Sequence, residues 1–309
     1  MRVLDNGGST DPTWNLALEE HALLTLDLAD SWLLFYVNRP SIIIGKHQNT
    51  IEEIDADFVH DRGIAVVRRI SGGGAVYHDL GNLSFSVITR YTPHRFNNYA
   101  EFTGPVVAAL RELGVPAQVG GRNDIIVGGR KVSGNAQVVR GERMFSHGTL
   151  LLDSNLDDVT RALKPKPGKV ESKGIQSVRS RVANISEFLP APLAMDDFRA
   201  ALLAHLVPGA GGVPAHEFSP DDLARIHALA EAKYRTWDWN YGESPPFNLE
   251  RIRRFPSGEI DVRLNVEDGI ITSVRFYGDF FAGRDIAELE RGLTGTRYRP
   301  DDLAAALRD

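Results

Sequence analysis

The chain has 309 residues, 42% hydrophobic and 25% charged, with no repeat or low-complexity tract, so we expect one large folded domain and one small one. Its 35 Lys+Arg against 41 Asp+Glu leave a net charge of -6, which argues against a nucleic-acid partner. The absence of cysteine excludes disulfides, cysteine-ligated zinc and a thiolate nucleophile. The apolar runs are far shorter than the roughly 20 residues that cross a bilayer, and Met1 to Asp11 lacks a signal-peptide pattern. We therefore expect a cytoplasmic protein without a membrane partner.

The first half of the chain alternates between predicted helices and strands. Asp11 and Pro12 have the pattern of a helix start, and an apolar face continues from Trp14 to Leu28. Runs of β-branched and aromatic residues then predict strands, and a second helix ends before Gly114. The predicted strands are Trp32–Val37, Ser41–Gly45, Ile64–Ile70 and Leu83–Ile88, and the second helix is Tyr99–Leu113.

A β-hairpin region follows, with glycine-containing turns between three predicted strands. The strands are Asp124–Val127, Arg130–Val139 and Arg143–Leu152. Because side chains alternate between the two faces of a strand, the middle strand should have one polar and one apolar face. The polar face would hold Lys131, Ser133, Asn135 and Gln137, and the apolar face Val132, Ala136 and Val138. A polar face of this kind is usually solvated and suggests a function only where it lines a pocket.

The remaining sequence predicts more helices, a linker and a second domain. The helices are Asp157–Leu163, Met195–Leu206 and Pro220–Lys233. The aromatic cluster Trp237–Gly242 and the following Ser244-Pro245-Pro246 indicate a linker. After it come strands Ile252–Phe255, Glu259–Val266 and Ile270–Tyr277 and helices Arg284–Gly292 and Pro300–Leu307. We therefore predict a large domain over residues 1–243 and a small α+β domain over residues 247–309.

The segment Arg68–Asp79 carries the most informative motif, RRISGGGAVYHD. Three consecutive glycines let backbone N–H groups approach a ligand, and Arg69 has the chemistry to bind a carboxylate or phosphate with two hydrogen bonds. The segment has neither the Gly-Lys-Ser/Thr of a Walker loop nor the spacing of a dinucleotide fingerprint. Taken alone, a glycine run is more often a flexible turn than an anion site.

A second candidate site lies in the hairpin region. Asp124 and Lys131 could arrange a Mg2+ ion and a cation around the phosphates of a nucleotide, with Lys131 offsetting negative charge as a carboxylate attacks phosphorus. The alternative is a surface lysine on an edge strand. His147 fits a hydrogen-bonded core histidine as well as a catalytic one. The chain contains no HExxH spacing, which would predict a structural metal, and no Gly-x-Ser-x-Gly elbow, which would support a Ser-His-Asp hydrolase.

A basic stretch forms the third candidate, and only Glu171 opposes its charge. Its cations are Lys164, Lys166, Lys169, Lys173, Arg179 and Arg181. Such a cluster could hold a triphosphate, and the alternative is a solvated basic loop.

Together these segments resemble the lipoate-protein ligase A family. The matching motifs are RRISGGGAVYHDLGN at 68–82, GRNDIIV at 121–127, KVSGNA at 131–136, HGTLL at 147–151, KGIQSVRSRV at 173–182 and the WDWNYG before the linker. They stand in the order of the family and the resemblance extends over essentially the whole chain, which makes chance a poor explanation.

The resemblance implies an α+β fold and an ATP-dependent reaction. The catalytic domain would be a mixed β-sheet flanked by helices, as in class II synthetases and biotin protein ligases, with a small C-terminal domain that looks shorter than in longer members. Lipoate would attack the α-phosphate of ATP to form lipoyl-AMP, and a carrier lysine would then take the lipoyl group. The related octanoyltransferases and lipoyl amidotransferases work through a cysteine, which this chain lacks.

The resemblance also assigns roles to individual positions. Lys131 would be the catalytic residue, in contact with the lipoyl carbonyl and the phosphate, and Asp124 the Mg2+ partner. The loop 164–182 would fold over the adenylate. The positions expected to bind ATP and lipoate are Arg69, Ser71, Gly72, Gly73, Gly74, Ala75, Val76, Tyr77, Asn82, Asn123, Asp124, Lys131, Ser133, His147 and Thr149.

The expected acceptors are lipoyl domains of 2-oxoacid dehydrogenase complexes and the glycine cleavage H protein. Alternative hypotheses are a ligase for octanoate or biotin, a non-catalytic lipoate-binding protein, and an adenylating protein that needs a partner for transfer. Biotin ligases carry a Gly-Arg-Gly-Arg type of loop, in place of which this chain has Ser71-Gly72-Gly73-Gly74. Lipoate and octanoate share the same carboxylate, so the choice between them depends on the shape of an apolar pocket.

Overall fold

Thirteen strands and ten α-helices are found in the part of the chain that the computed structural model describes, which comprises residues 1–163, 181–207, 215–241, 249–267, 269–298 and 300–308. The strands are β1 (Arg2–Leu4), β2 (Trp32–Val37), β3 (Ser41–Ile44), β4 (Ala65–Arg68), β5 (Val76–His78), β6 (Asn82–Arg90), β7 (Gln118–Gly120), β8 (Asp124–Val127), β9 (Arg130–Arg140), β10 (Arg143–Leu151), β11 (Leu249–Phe255), β12 (Gly258–Glu267) and β13 (Ile270–Gly278). The helices are α1 (Pro12–Thr25), α2 (Thr50–Glu53), α3 (Ala56–Asp61), α4 (Tyr99–Glu112), α5 (Leu156–Ala162), α6 (Met195–Leu206), α7 (Pro220–Leu229), α8 (Trp237–Asn240), α9 (Ile286–Leu293) and α10 (Pro300–Ala306).

The larger domain is built on a seven-stranded sheet with the strand order β1-β2-β6-β10-β9-β8-β7. Only β1 and β2 run parallel; the other neighbours are antiparallel, so the sheet is mixed. Strand β6 lies near its middle, and all of its residues except Arg90 are buried, as expected for a strand covered on both faces.

Two apolar layers cover the faces of this sheet. One contains Phe85, Val106 and Phe198 and joins the sheet to helices α4 and α6. The other contains Leu18 and Ile226 and joins the opposite face to helices α1 and α7. Burying a large apolar side chain stabilises the fold by about 1.5–3 kcal/mol, so these layers fix the sheet between helices. The predicted mixed sheet flanked by helices is thus confirmed.

A second sheet of three strands, in the order β4-β3-β5, carries the glycine-rich segment between β4 and β5. Strands β3 and β4 are parallel, and the short helices α2 and α3 form the crossover that a parallel pair requires. This sheet has its own apolar cluster, which includes Ile44, Phe58 and Tyr77.

The structure corrects several predicted element boundaries. Helix α1 ends at Thr25 rather than Leu28, because Leu26 is already extended. The strand predicted over Ile64–Ile70 is limited to β4. The helix predicted over Pro220–Lys233 ends as α7 at Leu229 and continues in a turn of π-helix over Ala230–Tyr234.

The C-terminal domain combines the antiparallel sheet β11-β12-β13 with helices α9 and α10. Its core contains Leu264, Ile271, Val274 and Leu293, which confirms a small α+β unit. Gly269, between strands β12 and β13, has a φ of 76°, a left-handed conformation that glycine adopts readily. The predicted boundary between the domains lies at residues 242–248, outside the described residues, and stays a prediction. None of the described helices has the length and apolar character needed to span a membrane.

Candidate active site

A cavity of about 130 Å³ lies between one face of the seven-stranded sheet, helix α1 and the three-stranded sheet. Its lining residues are Leu16, Tyr36, Ile43, Arg69, Gly73, Gly74, Ala75, Val76, His78, Ser84, Asn123, Lys131, Gly134, Asn135, Ala136, His147, Gly148, Thr149 and Phe281. Apolar side chains alternate with a few polar ones, which is the usual composition of a small-molecule site.

The floor of this cavity follows a row of residues across four neighbouring strands. Gly134 donates its N–H to the Thr149 hydroxyl over 3.4 Å, and Asp124, behind the lining, pairs with Gly134 on the next strand. Thr149 pairs with Ser84, and Ser84 pairs with Tyr36. Since adjacent strands lie about 4.8 Å apart, the row from Gly134 to Tyr36 extends over about 14 Å. The site is therefore elongated and has two distinct ends.

A β-bulge brings Lys131 to the cavity. The register between β8 and β9 shifts between Ile125, which pairs with Ser133, and Ile126, which pairs with Lys131. Val132 is the additional residue, and it is buried in the apolar layer on the helix α4 side. The strict alternation predicted for β9 is thus wrong at its start. Because of the bulge, Lys131 does not share a face with Ser133, and Val132 does not lie on the opposite face, where the alternation placed it.

Lys131 and Asp124 form an ion pair at one end of the cavity. The Lys131 Nζ lies 2.8 Å from Asp124 Oδ1, with 38% and 34% of the two side chains exposed. Gly134 leaves room for this arrangement, because a Cβ there would lie 2.8 Å from the Nζ and would displace the end of the lysine side chain. A partly exposed pair contributes little to stability, so both charges remain available to a ligand at this end.

Arg69 is buried beneath the glycine-rich segment and holds it in shape. Its guanidinium donates to the carbonyls of Gly72 (2.6 Å), Gly74 (2.9 Å) and Ile43 (3.0 Å) and to Ser71 Oγ (2.9 Å). Burial lowers its pKa to about 10, so it stays charged at neutral pH. Because these bonds use most of its donors, Arg69 positions the loop carbonyls instead of making the two-bond anion contact predicted from its residue type.

A buried hydrogen-bonded chain connects Arg69 to a carboxylate on helix α1. His147 Nδ1 lies 3.0 Å from Glu19 Oε1, and its Nε2 lies 2.7 Å from Ser71 Oγ, which also accepts from Arg69. The order Ser-His-Glu is that of a hydrolase triad. However, Ser71 is completely buried, accepts a bond from Arg69 and does not line the cavity. This chain of contacts therefore fixes the glycine-rich segment and gives no exposed nucleophile.

The cavity brings together most of the positions predicted from the sequence. Those that line it are Arg69, Gly73, Gly74, Ala75, Val76, Asn123, Lys131, His147 and Thr149. His147 is both hydrogen-bonded and part of the cavity, so the two interpretations of this residue are compatible.

Other predicted positions lie behind the lining. Ser71 and Gly72 bond to Arg69, and Asp124 bonds to Lys131. Tyr77 points away from the cavity into the apolar cluster of Phe58. Ser133 and Asn82 are fully buried: Ser133 Oγ accepts from Asn135 over 3.1 Å, and the side-chain amide of Asn82 has no hydrogen-bond partner among the described residues.

Several site residues were not found by sequence reasoning. They are Leu16, Glu19, Tyr36, Ile43, His78, Ser84 and Phe281. Only Glu19 carries a sequence signal, because it lies three positions after Leu16 on the apolar face of a predicted helix, where a charged residue is unusual. It is 1% exposed.

The C-terminal domain supplies one wall of the cavity. Phe281 lies against the glycine-rich segment, where a Cβ on Gly73 would be 3.1 Å from the phenyl ring. The Arg122 guanidinium lies 4.7 Å from the same ring, which is cation–π distance. A Cβ on Gly72 would lie 2.4 Å from the carbonyl oxygen of Phe280, so glycine is required at this contact. The predicted basic loop is outside the described residues except for Arg181 and Val182.

Comparison with known proteins identifies the family. The family model described as "Lipoyl protein ligase A/B catalytic domain" matches residues 11–207, and "Bacterial lipoate protein ligase C-terminus" matches residues 244–309. The chain belongs to the lipoate-protein ligase family.

Individual relatives agree with this membership. "Lipoate-protein ligase LplJ" of Bacillus subtilis is 52% identical, covering 99% of this chain and 93% of that protein. "Lipoate--protein ligase 1" of Staphylococcus aureus is 48% identical, with the same coverage of 99% and 93%. The chain is thus a ligase with relatives that match almost its whole length.

Solved structures also share its fold. LipL1 of P. falciparum in complex with lipoate superimposes with a TM-score of 0.81 at 24% identity, covering 99% of this chain and 93% of that one. The bi-partite ligase of Thermoplasma acidophilum, described with its E2 lipoyl domain, has a TM-score of 0.69 at 30% identity, covering 79% and 97%. A lipoate-protein ligase A bound with ATP has a TM-score of 0.66 at 29% identity, covering 78% and 98%.

Proposed function

We propose that the chain activates lipoate with ATP to lipoyl-AMP and then transfers the lipoyl group to a lysine of a lipoyl carrier domain. The observation that carries the proposal is the elongated cavity, whose lining is mostly apolar and which ends at Lys131, the ion-pair partner of Asp124. An eight-carbon acid fits such a site with its tail among apolar side chains and its carboxylate at the lysine. The relatives named lipoate-protein ligases support the same reaction.

Lys131 is the residue we assign to the activation step. A carboxylate oxygen of lipoate attacks the α-phosphorus of ATP, an acyl–phosphate bond forms, and the bond to pyrophosphate breaks. Negative charge increases on the phosphoryl oxygens during this attack. An ammonium group held at the end of the acyl cavity offsets that charge in a partly dehydrated environment, where electrostatic stabilisation is strongest.

Asp124 is the residue we assign to Mg2+. This ion usually binds one or two carboxylates together with substrate phosphates and water, so a single carboxylate beside the reacting phosphate fits its requirements. When bound, the ion would neutralise phosphate charge. Asp124 already holds Lys131 at 2.8 Å, so its carboxylate also orients the ammonium toward the ligand.

The second step needs an acceptor lysine at the same end of the cavity. Its neutral amine attacks the acyl carbon of lipoyl-AMP, an amide forms, AMP leaves, and the amine loses a proton. We infer that the acceptors are lipoyl domains of 2-oxoacid dehydrogenase complexes and the glycine cleavage H protein, and that the reaction takes place in the cytoplasm. The T. acidophilum ligase described with its E2 lipoyl domain supports this class of acceptor.

A second candidate function is an adenylating protein that binds lipoate or octanoate and needs a partner for transfer. The neighbour from T. acidophilum is described as a bi-partite ligase and covers 79% of this chain, which favours considering a divided activity. The match of residues 244–309 to a ligase C-terminus favours both steps in one chain.

The test is lipoate-dependent release of pyrophosphate from ATP, followed by mass spectrometry of an added apo lipoyl domain. Release together with a lipoyl mass gain on the carrier is the expected result. Release without carrier modification would favour the divided activity. An absence of release with lipoate and with octanoate, from protein that is folded by circular dichroism, would contradict both candidates.

A further inference from the structure

His78 occupies the end of the cavity opposite Lys131. On strand β5, Val76 and His78 line the cavity, and Tyr77 points to the other side. The His78 ring bonds to Asn38, which directly follows strand β2 and lies two residues after Tyr36. His78 therefore lies near Tyr36, about 14 Å across three strand spacings from β9, which carries Lys131.

A buried chain of amides defines which nitrogen of His78 carries the proton. Asn6 Nδ2 donates to Asn15 Oδ1 over 3.1 Å, and Asn15 Nδ2 donates to Asn38 Oδ1 over 2.9 Å. Asn38 must then use its own Nδ2 toward His78, and it lies 3.0 Å from the Nδ1. Since Nδ1 accepts this bond, the proton of the neutral ring is on Nε2.

This Nε2–H is a donor without an acceptor. The atom has no hydrogen-bond partner among the described residues, and His78 is only 4% exposed. Burial, together with the positive charge of Arg69, lowers the pKa of His78 to about 3, so the ring is neutral at physiological pH. A buried donor that nothing accepts from is costly. Because His78 lines the cavity, a molecule bound at this end can bring an acceptor to the Nε2–H after a small displacement of the atoms that cover it.

We propose that His78 determines the choice between lipoate and octanoate, by donating its Nε2–H to a sulfur of the dithiolane ring. The inference rests on the proposed function, because it places the carboxylate at Lys131 and hence the tail at Tyr36 and His78. A disulfide sulfur is a weak acceptor, whereas the tail of octanoate offers only C–H groups. With octanoate bound, the donor stays dehydrated and unpaired, which disfavours that acid.

The experiment compares three acids in acid-dependent pyrophosphate release: lipoate, octanoate and 5-cyclopentylpentanoate, which keeps a five-membered ring without sulfur. We expect the wild-type chain to prefer lipoate over the carbocycle by about tenfold in kcat/KM, as for the loss of one weak hydrogen bond. In His78→Phe the ring remains but the donor is gone, and the preference should fall to about one. His78→Gln keeps an N–H donor and should restore part of the preference.

Two results would overturn the proposal. If the wild-type protein uses lipoate and the carbocycle equally well, His78 makes no contact with a sulfur atom. A Phe variant that loses activity on all three acids by the same factor, with Gln no better, shows a packing role. If the Phe variant does not fold, the wild-type comparison and His78→Gln still decide. Failure of the proposed function looks different, because wild-type protein would then release no pyrophosphate with any of the acids.

Discussion

Lys131 offers the sharpest test of the activation step. Lys131→Ala removes the cation that we assign to the reacting phosphate, and we expect the rate of lipoate-dependent pyrophosphate release to fall by about 10²–10³. Its ion pair with Asp124 is partly exposed, so the free energy of unfolding should change by less than about 1 kcal/mol. Stopped assays that count labelled pyrophosphate released from ATP measure the rate, and urea unfolding measures the free energy of unfolding.

Arg130 provides the matched control. It is the preceding cation on the same strand and pairs with Glu187 at 2.8 Å, but it does not line the cavity. Arg130→Ala should keep the wild-type rate. A Lys131→Ala variant that is as active as Arg130→Ala would refute the role given to Lys131.

His47 makes the fold sensitive to acid. It stacks on Phe280 with ring centroids 4.8 Å apart, and burial beside the positive Lys46 lowers its pKa from 6.5 to about 4. As the pH falls below 6.5, the unfolded chain takes up this proton first, so stability is lost between about pH 6.5 and 4. Across that window His47 contributes up to about 1.4 kcal/mol per pH unit to the loss, and the buried His78, whose pKa is about 3, adds a similar contribution that the variants at position 47 retain.

The check is urea unfolding at pH 7, 6 and 5. His47→Phe retains an aromatic ring against Phe280 but does not titrate, so its stability should decline less steeply with acid than that of the wild type. The exposed His94→Phe serves as the control and should follow the wild-type slope. Equal slopes in all three proteins would exclude His47 as the origin.

At the scale of single residues, sequence reasoning identified those whose chemistry is unusual. Residue type and motif predict Lys131 and the three glycines as site residues, and the cavity contains Lys131, Gly73 and Gly74. The sequence does not indicate His78 and Tyr36, because nothing in a local strand pattern shows that a side chain points into a cavity. Their role depends on strands brought together from distant parts of the chain.

Glycines at close backbone contacts determine how the elements around the site fit together. A Cβ on Gly45 would lie within van der Waals exclusion distance of the Gly73 carbonyl oxygen, and neither group can move without its strand or loop. We expect Gly45→Ala to destabilise the protein by about 1–3 kcal/mol, as other overpacking changes do. The change in urea midpoint measures it.

Gly292 in helix α9 is the opposite case. A Cβ added at this position would have no atom within 4 Å, and alanine favours a helix over glycine. Gly292→Ala should therefore stabilise the protein by about 0.5–1 kcal/mol in the same titration. A Gly45→Ala variant as stable as Gly292→Ala would mean that the glycine-rich segment adapts freely.

Element boundaries were predictable within a few residues where the pattern is local. Asp11 caps helix α1 by accepting from the Thr13 N–H over 3.0 Å, as its sequence indicated. The bulge at Val132 was not predictable, because strict alternation and a bulged strand have the same sequence pattern. The register shift depends on the partner strand β8.

The structural role of the WDWN segment can be recognised only in the folded protein. Asn240 Oδ1 accepts from the Arg68 N–H over 2.8 Å, and the Trp239 carbonyl accepts from the Arg68 guanidinium over 2.9 Å. Arg68 directly precedes Arg69 and ends strand β4. An aromatic motif that the sequence placed before a linker thus anchors the start of the glycine-rich segment.

Residues of both domains line the cavity, and a substitution of Phe281 tests the contribution of the C-terminal domain. Phe281→Ala removes the wall that the C-terminal domain contributes, so bound acid and its adenylate should be less enclosed. We expect the KM for lipoate to increase by about three- to tenfold, the range for losing part of a buried aromatic contact. We also expect more free adenylate in the product mixture, measured by chromatography.

Phe255→Ala is the control for this change. Phe255 belongs to the same domain but is 38% exposed on β11 and does not line the cavity. Its KM should equal that of the wild type. If both variants behave alike, the effect comes from general destabilisation of the C-terminal domain.

The existence of two domains was predictable from the Pro-rich segment, and the family from motif order. The contact between the domains was not predictable. Phe281 and Gly73 lie 208 positions apart in the sequence, and no motif connects them. Contacts such as the Gly278 N–H to the His47 carbonyl, at 2.8 Å, exist only once both domains are folded.

A cavity wall that belongs to another domain couples ligand binding to the contact between the domains. An acid bound between the sheets would touch Phe281 as well as the glycine-rich segment, so it would bind most tightly while the two are in contact. By thermodynamic linkage the bound acid would then stabilise that contact. Ligand-bound protein should therefore resist unfolding of its C-terminal domain more than ligand-free protein does.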